Sequence, residues 1–313
     1  MPTRSYAIVG TGAIGGFYGA KLQRGRFAVH FLLHRDYEYV CRQGLKVESP
    51  DGDLSLLEVQ AYARAQDMPI CDVVIIALKT TYNFQLREIL PHIVGPETVI
   101  LVLQNGLGTE AEIAEMVGDQ AIVGGLCFIC SNKVGPGHIQ HLDYGAVTLA
   151  EYLPDYQRAG QTQRLEKIAE DFKQADIPIE LSPDLLLARW KKLVWNIPYN
   201  GLSVILNART DEIMSHSATR LVVEEIMQEV LQGAKACDRP ISPEFIRTML
   251  DHTENMKPYL TSMKLDYERK QPLELEAIFG NPLRRAAMAG IKLSRIEILY
   301  RQLKFLDDQN RSD

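Results

Sequence analysis

Hydrophobic and polar positions along the chain change rhythm once. As far as Ser182, short apolar runs alternate with stretches of helical spacing. Tyr6–Val9, Val29–Leu33, Val73–Leu78 (VVIIAL) and Val99–Leu103 (VILVL) read as strands, and the last two lack polar alternation, the pattern of strands buried on both faces. Ile14–Gln23, with a face of small residues, and Gln161–Ala175 read as helices, while segments 122–130, 138–141 and 146–150 continue as strands. This alternation predicts a parallel sheet covered by helices. From Leu185 the rhythm is helical, through LLLARWKKLVWNIPYNGLSVIL, TRLVVEEIMQEVLQGAKAC and PEFIRTMLDHTENM, with Gly280 and Gly290 as the main breaks after them. The pattern therefore predicts an α/β fold in two parts: an N-terminal Rossmann-type domain, residues 1–182, and a C-terminal all-helical domain, residues 183–313.

Composition narrows the function. Lys and Arg number 34 against 40 Asp and Glu, a net charge of −6. That argues against a nucleic-acid partner, which wants a basic surface. No apolar run approaches the roughly 20 residues of a membrane span, and the first strand leaves no room for a secretory leader, so the expectation is a cytoplasmic protein with no membrane partner. Five scattered cysteines fit a reducing compartment. Cys127 and Cys130 form a C-x-x-C, but within a strand run their side chains point to opposite faces. His138 and His141 diverge for the same reason, and no metal site is expected.

Directly after the first strand comes Gly10-Thr11-Gly12-Ala13-Ile14-Gly15, followed by a helix and, about twenty residues on, a second strand. In that context Gly10 permits the tight turn, Gly12 lets backbone approach a pyrophosphate, and Gly15 allows close helix–strand packing. The helix N-terminus would hold the phosphates. A merely structural glycine turn is the competing reading. After the second strand stand His34 and Arg35, cations suited to a 2′-phosphate, so NADP is favoured over NAD; Asp36, one step later, could instead accept from a ribose hydroxyl.

A second constellation opens the helical part, where Lys192, Asn196 and Asn200 fall four apart on one helical stripe. A lysine followed by two amides suits an oxygen-rich anionic ligand; a solvated helix face is the plain alternative. Pro198, within the same helix, removes one N–H and should leave the Val194 carbonyl unpaired, kinking the helix.

The order and spacing of six pieces resemble the ketopantoate reductases (2-dehydropantoate 2-reductases) over nearly the whole chain. The pieces are GTGAIGG, Ala77-Leu78-Lys79, Gln104-Asn105-Gly106-Leu107-Gly108, the Lys192/Asn196/Asn200 stripe, Ser262-Met263-x-x-Asp266, and Glu274 with Ile278-x-Gly280. The resemblance implies NADPH-dependent reduction of a 2-oxo acid to a 2-hydroxy acid, serving pantothenate biosynthesis. Carried onto this sequence, it makes Lys192 the catalytic lysine and Glu274 the acid that helps set it. It places Asn105 between nicotinamide ribose and substrate, Lys79 on the cofactor side, and Cys130 where relatives hold a small residue against the cofactor. Asn196 and Asn200 become substrate amides, and Ser262 the ligand of the substrate carboxylate. The chain departs from the family in having Leu273 before the acid, and Tyr259 and Thr210 where some relatives carry further polar ligands.

Hydride addition to a ketone leaves charge on its oxygen, which a lysine can both stabilise and protonate. The expected partner is thus a small 2-oxo acid, with a homodimer through the helical domain as a further possibility. Two alternatives stand beside ketopantoate: another 2-oxo acid reduced by the same fold, and a non-catalytic dinucleotide sensor. A sensor needs only the first domain, whereas this chain keeps Lys192, Asn196, Ser262 and Glu274.

Overall fold

A computed structural model describes residues 4–312. The chain forms two compact units, one of residues 1–104 and 109–185, the other of residues 105–108 and 186–313.

The first unit is built on ten strands: β1 (Ser5–Val9), β2 (Ala28–Leu32), β3 (Leu45–Glu48), β4 (Leu54–Leu56), β5 (Gln60–Tyr62), β6 (Val73–Ile76), β7 (Val99–Val102), β8 (Ala121–Gly135), β9 (His138–Glu151) and β10 (Ile179–Leu181). Its helices are α1 (Ala13–Arg24), α2 (Tyr37–Gln43), α3 (Leu86–Ile93), α4 (Thr109–Val117) and α5 (Gln163–Gln174). The strands lie in one sheet in the order β4-β3-β9-β8-β7-β6-β1-β2-β5, and β10 also pairs with β9.

The unbroken apolar runs have a direct explanation. Alternate residues of a strand point to opposite faces, and here both faces are covered. Tyr6, Ile8, Val73, Ile75 and Leu101 pack with α1 and α5 residues such as Phe17, Leu22, Leu165 and Phe172. Their neighbours Ala7, Val9, Val74, Ile76, Ile100 and Val102 pack with Leu86, Leu90 and Ile93 of α3 and Ile113 of α4. Each such aliphatic side chain, fully buried, contributes about 1.5–3 kcal/mol.

The sheet is mixed rather than wholly parallel, which corrects the expectation from alternation. β5, β2, β1, β6, β7 and β8 pair in parallel, whereas β8 and β9 form a long antiparallel hairpin and β3 and β4 pair antiparallel. The segments read as separate strands at 138–141 and 146–150 are one strand, β9. Its register shifts opposite Phe128/Ile129, and Tyr144 and Gly145 take positive φ of 63° and 131°. This bulge interrupts the alternation and separates the half that pairs with β3 from the half that pairs with β10.

The second unit is helical: α6 (Leu185–Ile205), α7 (Thr210–Ser215), α8 (Ser217–Ala236), α9 (Glu244–Asn255), α10 (Ser262–Glu268), α11 (Asn281–Met288) and α12 (Ser294–Ser312). α6 continues as one helix across Pro198. Gly280 is no break either; it has helical dihedrals and joins a single wide turn, Glu276–Gly280, directly to α11. Its missing Cβ makes room for the Glu276 carboxylate and the Arg284 guanidinium, which a side chain would meet at 2.5 and 3.2 Å. Gly290, with φ of 83°, does follow the end of α11. Among the described residues no helix is long and apolar enough to cross a membrane.

Candidate active site

In the first unit the expected cofactor residues gather at the carboxyl ends of parallel strands. β1 lies between β6 and β2. The chain passes from β1 to one side and reaches β6 on the other, which makes this edge of β1 a topological switch point, where open α/β sheets bind ligands. Gly10 leaves β1 with φ of 97°, and a Cβ there would lie 2.3 Å from the Leu78 backbone nitrogen. The turn is therefore seated against the end of β6. A Cβ on Gly15 would meet the Gly10 carbonyl at 2.3 Å and the Ile8 side chain at 2.9 Å, so this glycine lets α1 cross close over β1. Gly12 is different: nothing lies within 4 Å of where its Cβ would stand. No protein atom demands glycine there, but a ligand approaching the backbone would.

Gly12 caps α1, and Ala13 and Ile14 begin it, with no acidic residue in the first turn. The first amides of a helix have no partner within it, so this end is suited to phosphate. Thr11 donates its hydroxyl to the Leu32 carbonyl at 3.1 Å, tying the glycine turn to the end of β2. His34 and Arg35 follow on the surface. An open backbone turn at a helix start thus stands in the chain some twenty residues before two exposed cations.

Lys79 is half-buried just beyond β6. What anchors this strand end is a set of side chains distant in sequence. Gln104, after β7, donates to the Leu78 carbonyl at 2.9 Å and to the Asn83 side chain at 2.7 Å, and Asn83 donates to Glu112 at 2.7 Å. Nothing in the local pattern links these three polar residues, which lie on separate segments until the fold joins them. Cys130 is buried on β8, and burial beside Asp143 pushes its thiol up to about 12. Cys127 packs in the main core.

In the second unit, Lys192 is half-buried, whereas Asn196 and Asn200 are only 7% and 3% exposed. This overturns the plain reading of a solvated face. Two buried amides need hydrogen-bond partners, and a stripe of them prepares a polar surface. The neighbouring Lys191 is exposed, its ammonium 5.7 Å from the Phe245 ring.

Ser262 opens α10, and that end is fixed to α6 by hydroxyls. Ser203 bonds the Asn200 carbonyl at 3.1 Å and the Thr261 hydroxyl at 2.7 Å, and Thr261 caps the helix by accepting from the Lys264 amide at 3.2 Å. Both hydroxyl residues are fully buried. Glu274 is buried immediately before the wide turn at Glu276–Gly280. Asn105, half-buried, begins the loop that groups with this unit. The Leu107 amide bonds the Ala277 carbonyl at 2.8 Å, and Asn281 bonds the Leu107 carbonyl at 2.6 Å. Gly106, at φ of 93°, comes so close that a Cβ would lie 2.4 Å from the Ala277 backbone. Thr210 is fully buried, its amide and hydroxyl both directed to the Tyr259 carbonyl, so it serves the backbone.

The sheet, the glycine turn at its switch point and the helical second unit define a Rossmann-type dinucleotide fold joined to an all-helical unit. Family comparison agrees: residues 6–154 match the model described as Ketopantoate reductase PanE/ApbA, and residues 184–307 match its C-terminal counterpart. A 2-dehydropantoate 2-reductase of Nostoc sp. is 59% identical over 312 residues, covering 100% of this chain and 98% of that protein. The crystal structure of 2-dehydropantoate 2-reductase from Geobacter metallireducens has a TM-score of 0.91 at 41% identity, covering 97% of this chain and 99% of that one. The enzyme of the same name from Methylococcus capsulatus has a TM-score of 0.87 at 31% identity, covering 98% and 97%. The chain belongs to the ketopantoate reductase family, a family of dinucleotide-dependent oxidoreductases.

Proposed function

We propose that this chain reduces ketopantoate, a 2-oxo acid, to pantoate with NADPH, serving pantothenate synthesis in the cytoplasm. The observation that carries the reading is the buried amide stripe that begins at Lys192. Gly10, Thr11, Gly12, Ala13, Ile14 and Gly15 would form the pyrophosphate cradle, His34 and Arg35 would take the 2′-phosphate, and Lys79, Asn105 and Cys130 would adjoin the remainder of the cofactor. Held by these residues, NADPH would supply a hydride for the ketone carbon.

The chain's own residues do the rest. Lys192 donates a proton to the ketone oxygen as charge grows on it, and Glu274 holds that ammonium in place. Asn105, Asn196 and Asn200 orient the substrate, and Ser262 binds its carboxylate. In this reading residues 1–182 hold the dinucleotide and residues 183–313 hold the substrate. The second part also suits a homodimer, supported by Leu221 and Val222, which are exposed on α8. The hydroxyl of Thr210 is already used on a backbone carbonyl, which keeps another 2-oxo acid as the second reading.

A steady-state panel of ketopantoate and other 2-oxo acids, with NADPH and NADH, tests the assignment, and ketopantoate with NADPH should give the highest kcat/KM. Lys192→Ala should lower kcat by about 10²–10⁴-fold, the usual worth of a positioned acid. It should also remove the basic limb of the pH–rate profile. Lys191→Ala should do little, because its ammonium sits on the surface over Phe245. Equal small losses in both variants would refute the role given to Lys192.

A further inference from the structure

The turn after β2 carries an acid that the fold holds away from the neighbouring cations. His34 and Arg35 are exposed, whereas Asp36 is 8% exposed. Asp36 stands at the N-cap position of α2, yet its carboxylate makes no cap bond. Its Oδ2 instead accepts the Gly137 amide at 2.8 Å and pairs with the Lys133 ammonium at 2.5 Å. Both partners come from the β8–β9 hairpin, on the far side of the turn in sequence. The hairpin end is itself fixed, since the Gly137 carbonyl accepts the Lys46 amide at 2.8 Å. A Cβ on Gly137 would come within 2.8 Å of the Gly44 carbonyl.

An acid near the end of the second strand ordinarily accepts from the ribose 2′-hydroxyl and repels a 2′-phosphate. We propose that Lys133 is a specificity-determining residue: by holding Asp36 on the hairpin, it leaves His34 and Arg35 alone to face the 2′-position and so sets preference for the phosphorylated dinucleotide. The inference rests on the cofactor assignment above. Without the ammonium, a partly buried carboxylate keeps one amide and is drawn toward solvent, beside His34 and Arg35. There it would accept from a ribose hydroxyl and oppose a phosphate.

The test measures dissociation constants of NADPH and NADH by calorimetry, without substrate or turnover, for the full chain. Lys133→Met should lower the NADPH-to-NADH affinity ratio by about tenfold or more, the scale of exchanging a charge-assisted bond for a repulsion. Lys133→Arg should keep the ratio, and the double variant Lys133→Met/Asp36→Asn should restore it, because no carboxylate remains to be released. Asp36→Asn alone tests the same point with Lys133 in place: NADH affinity should stay within about twofold, since the acid does not reach the ribose. Equal weakening of both dinucleotides in Lys133→Met would overturn the proposal, as would an NADPH loss that persists in the double variant and so marks direct contact of Lys133 with phosphate. A fall in NADH affinity in Asp36→Asn would overturn it too. A wild-type chain that binds neither dinucleotide would instead remove the cofactor assignment beneath it.

Discussion

Gly10 and Gly12, two residues apart, are glycines for opposite reasons. Gly10 has φ of 97° and no space for a Cβ against the Leu78 backbone, whereas Gly12 has φ of −89° and empty surroundings. Gly10→Ala should cost about 3 kcal/mol or more, because backbone strain and overpacking combine and backbone cannot retreat as a flexible side chain can. Gly12→Ala should fold with a midpoint near wild type, losing at most about 1 kcal/mol at the cap. Its dinucleotide affinity should nonetheless fall by about tenfold or more, since a methyl would occupy the approach to the phosphates. Thermal melts together with dinucleotide titration check both. A Gly12→Ala variant with unchanged affinity would mean that the turn is structural only.

Between elements, the decisive contact is the Ser203–Thr261 hydroxyl pair that fixes the start of α10 to α6. Asn200, whose carbonyl Ser203 bonds, and Ser262, next to Thr261, are both proposed substrate ligands. The pair therefore acts as a positioning device. Thr261→Ala removes a helix cap, worth about 1 kcal/mol, and orphans the buried Ser203 hydroxyl. KM for the 2-oxo acid should rise about three- to tenfold with kcat nearly unchanged, the signature of lost ground-state binding. Thr261→Ser should rescue it, and NADPH affinity should not move. A loss of stability with KM unaltered would reduce the pair to packing.

For the molecule as a whole, thiol reactivity reads out the packing. None of the five cysteines forms a disulfide; Cys41 is exposed, Cys237 partly buried, and Cys71, Cys127 and Cys130 buried. Burial pushes the Cys71 thiol up to about 11 and the Cys130 thiol to about 12. A thiol with a raised pKa stays protonated at about pH 8, and the thiolate is the nucleophile, so alkylation there should reach Cys41 first and Cys237 more slowly. Cys71, Cys127 and Cys130 should label only on unfolding, as peptide mass mapping would show. Prompt native labelling of Cys130 would contradict the closed β8–β9 hairpin.

Local pattern was sufficient for the strand–turn–helix around Gly10–Gly15, for the two-sided burial of β6 and β7, and for the helical stripe of Lys192, Asn196 and Asn200, because each depends on neighbours within a few residues and on the fixed periods of strand and helix. Pattern could not decide the direction of the β8–β9 pair, since pairing sense depends on where the chain returns. Nor could it decide whether the stripe faced water or interior, because burial is set by what packs against a helix. The closing of Asp36 onto Lys133, of Gln104 onto Asn83 and of Ser203 onto Thr261 lay equally beyond it. These bonds join residues between 21 and 97 positions apart, and no local periodicity encodes a contact that exists only once the intervening chain has folded.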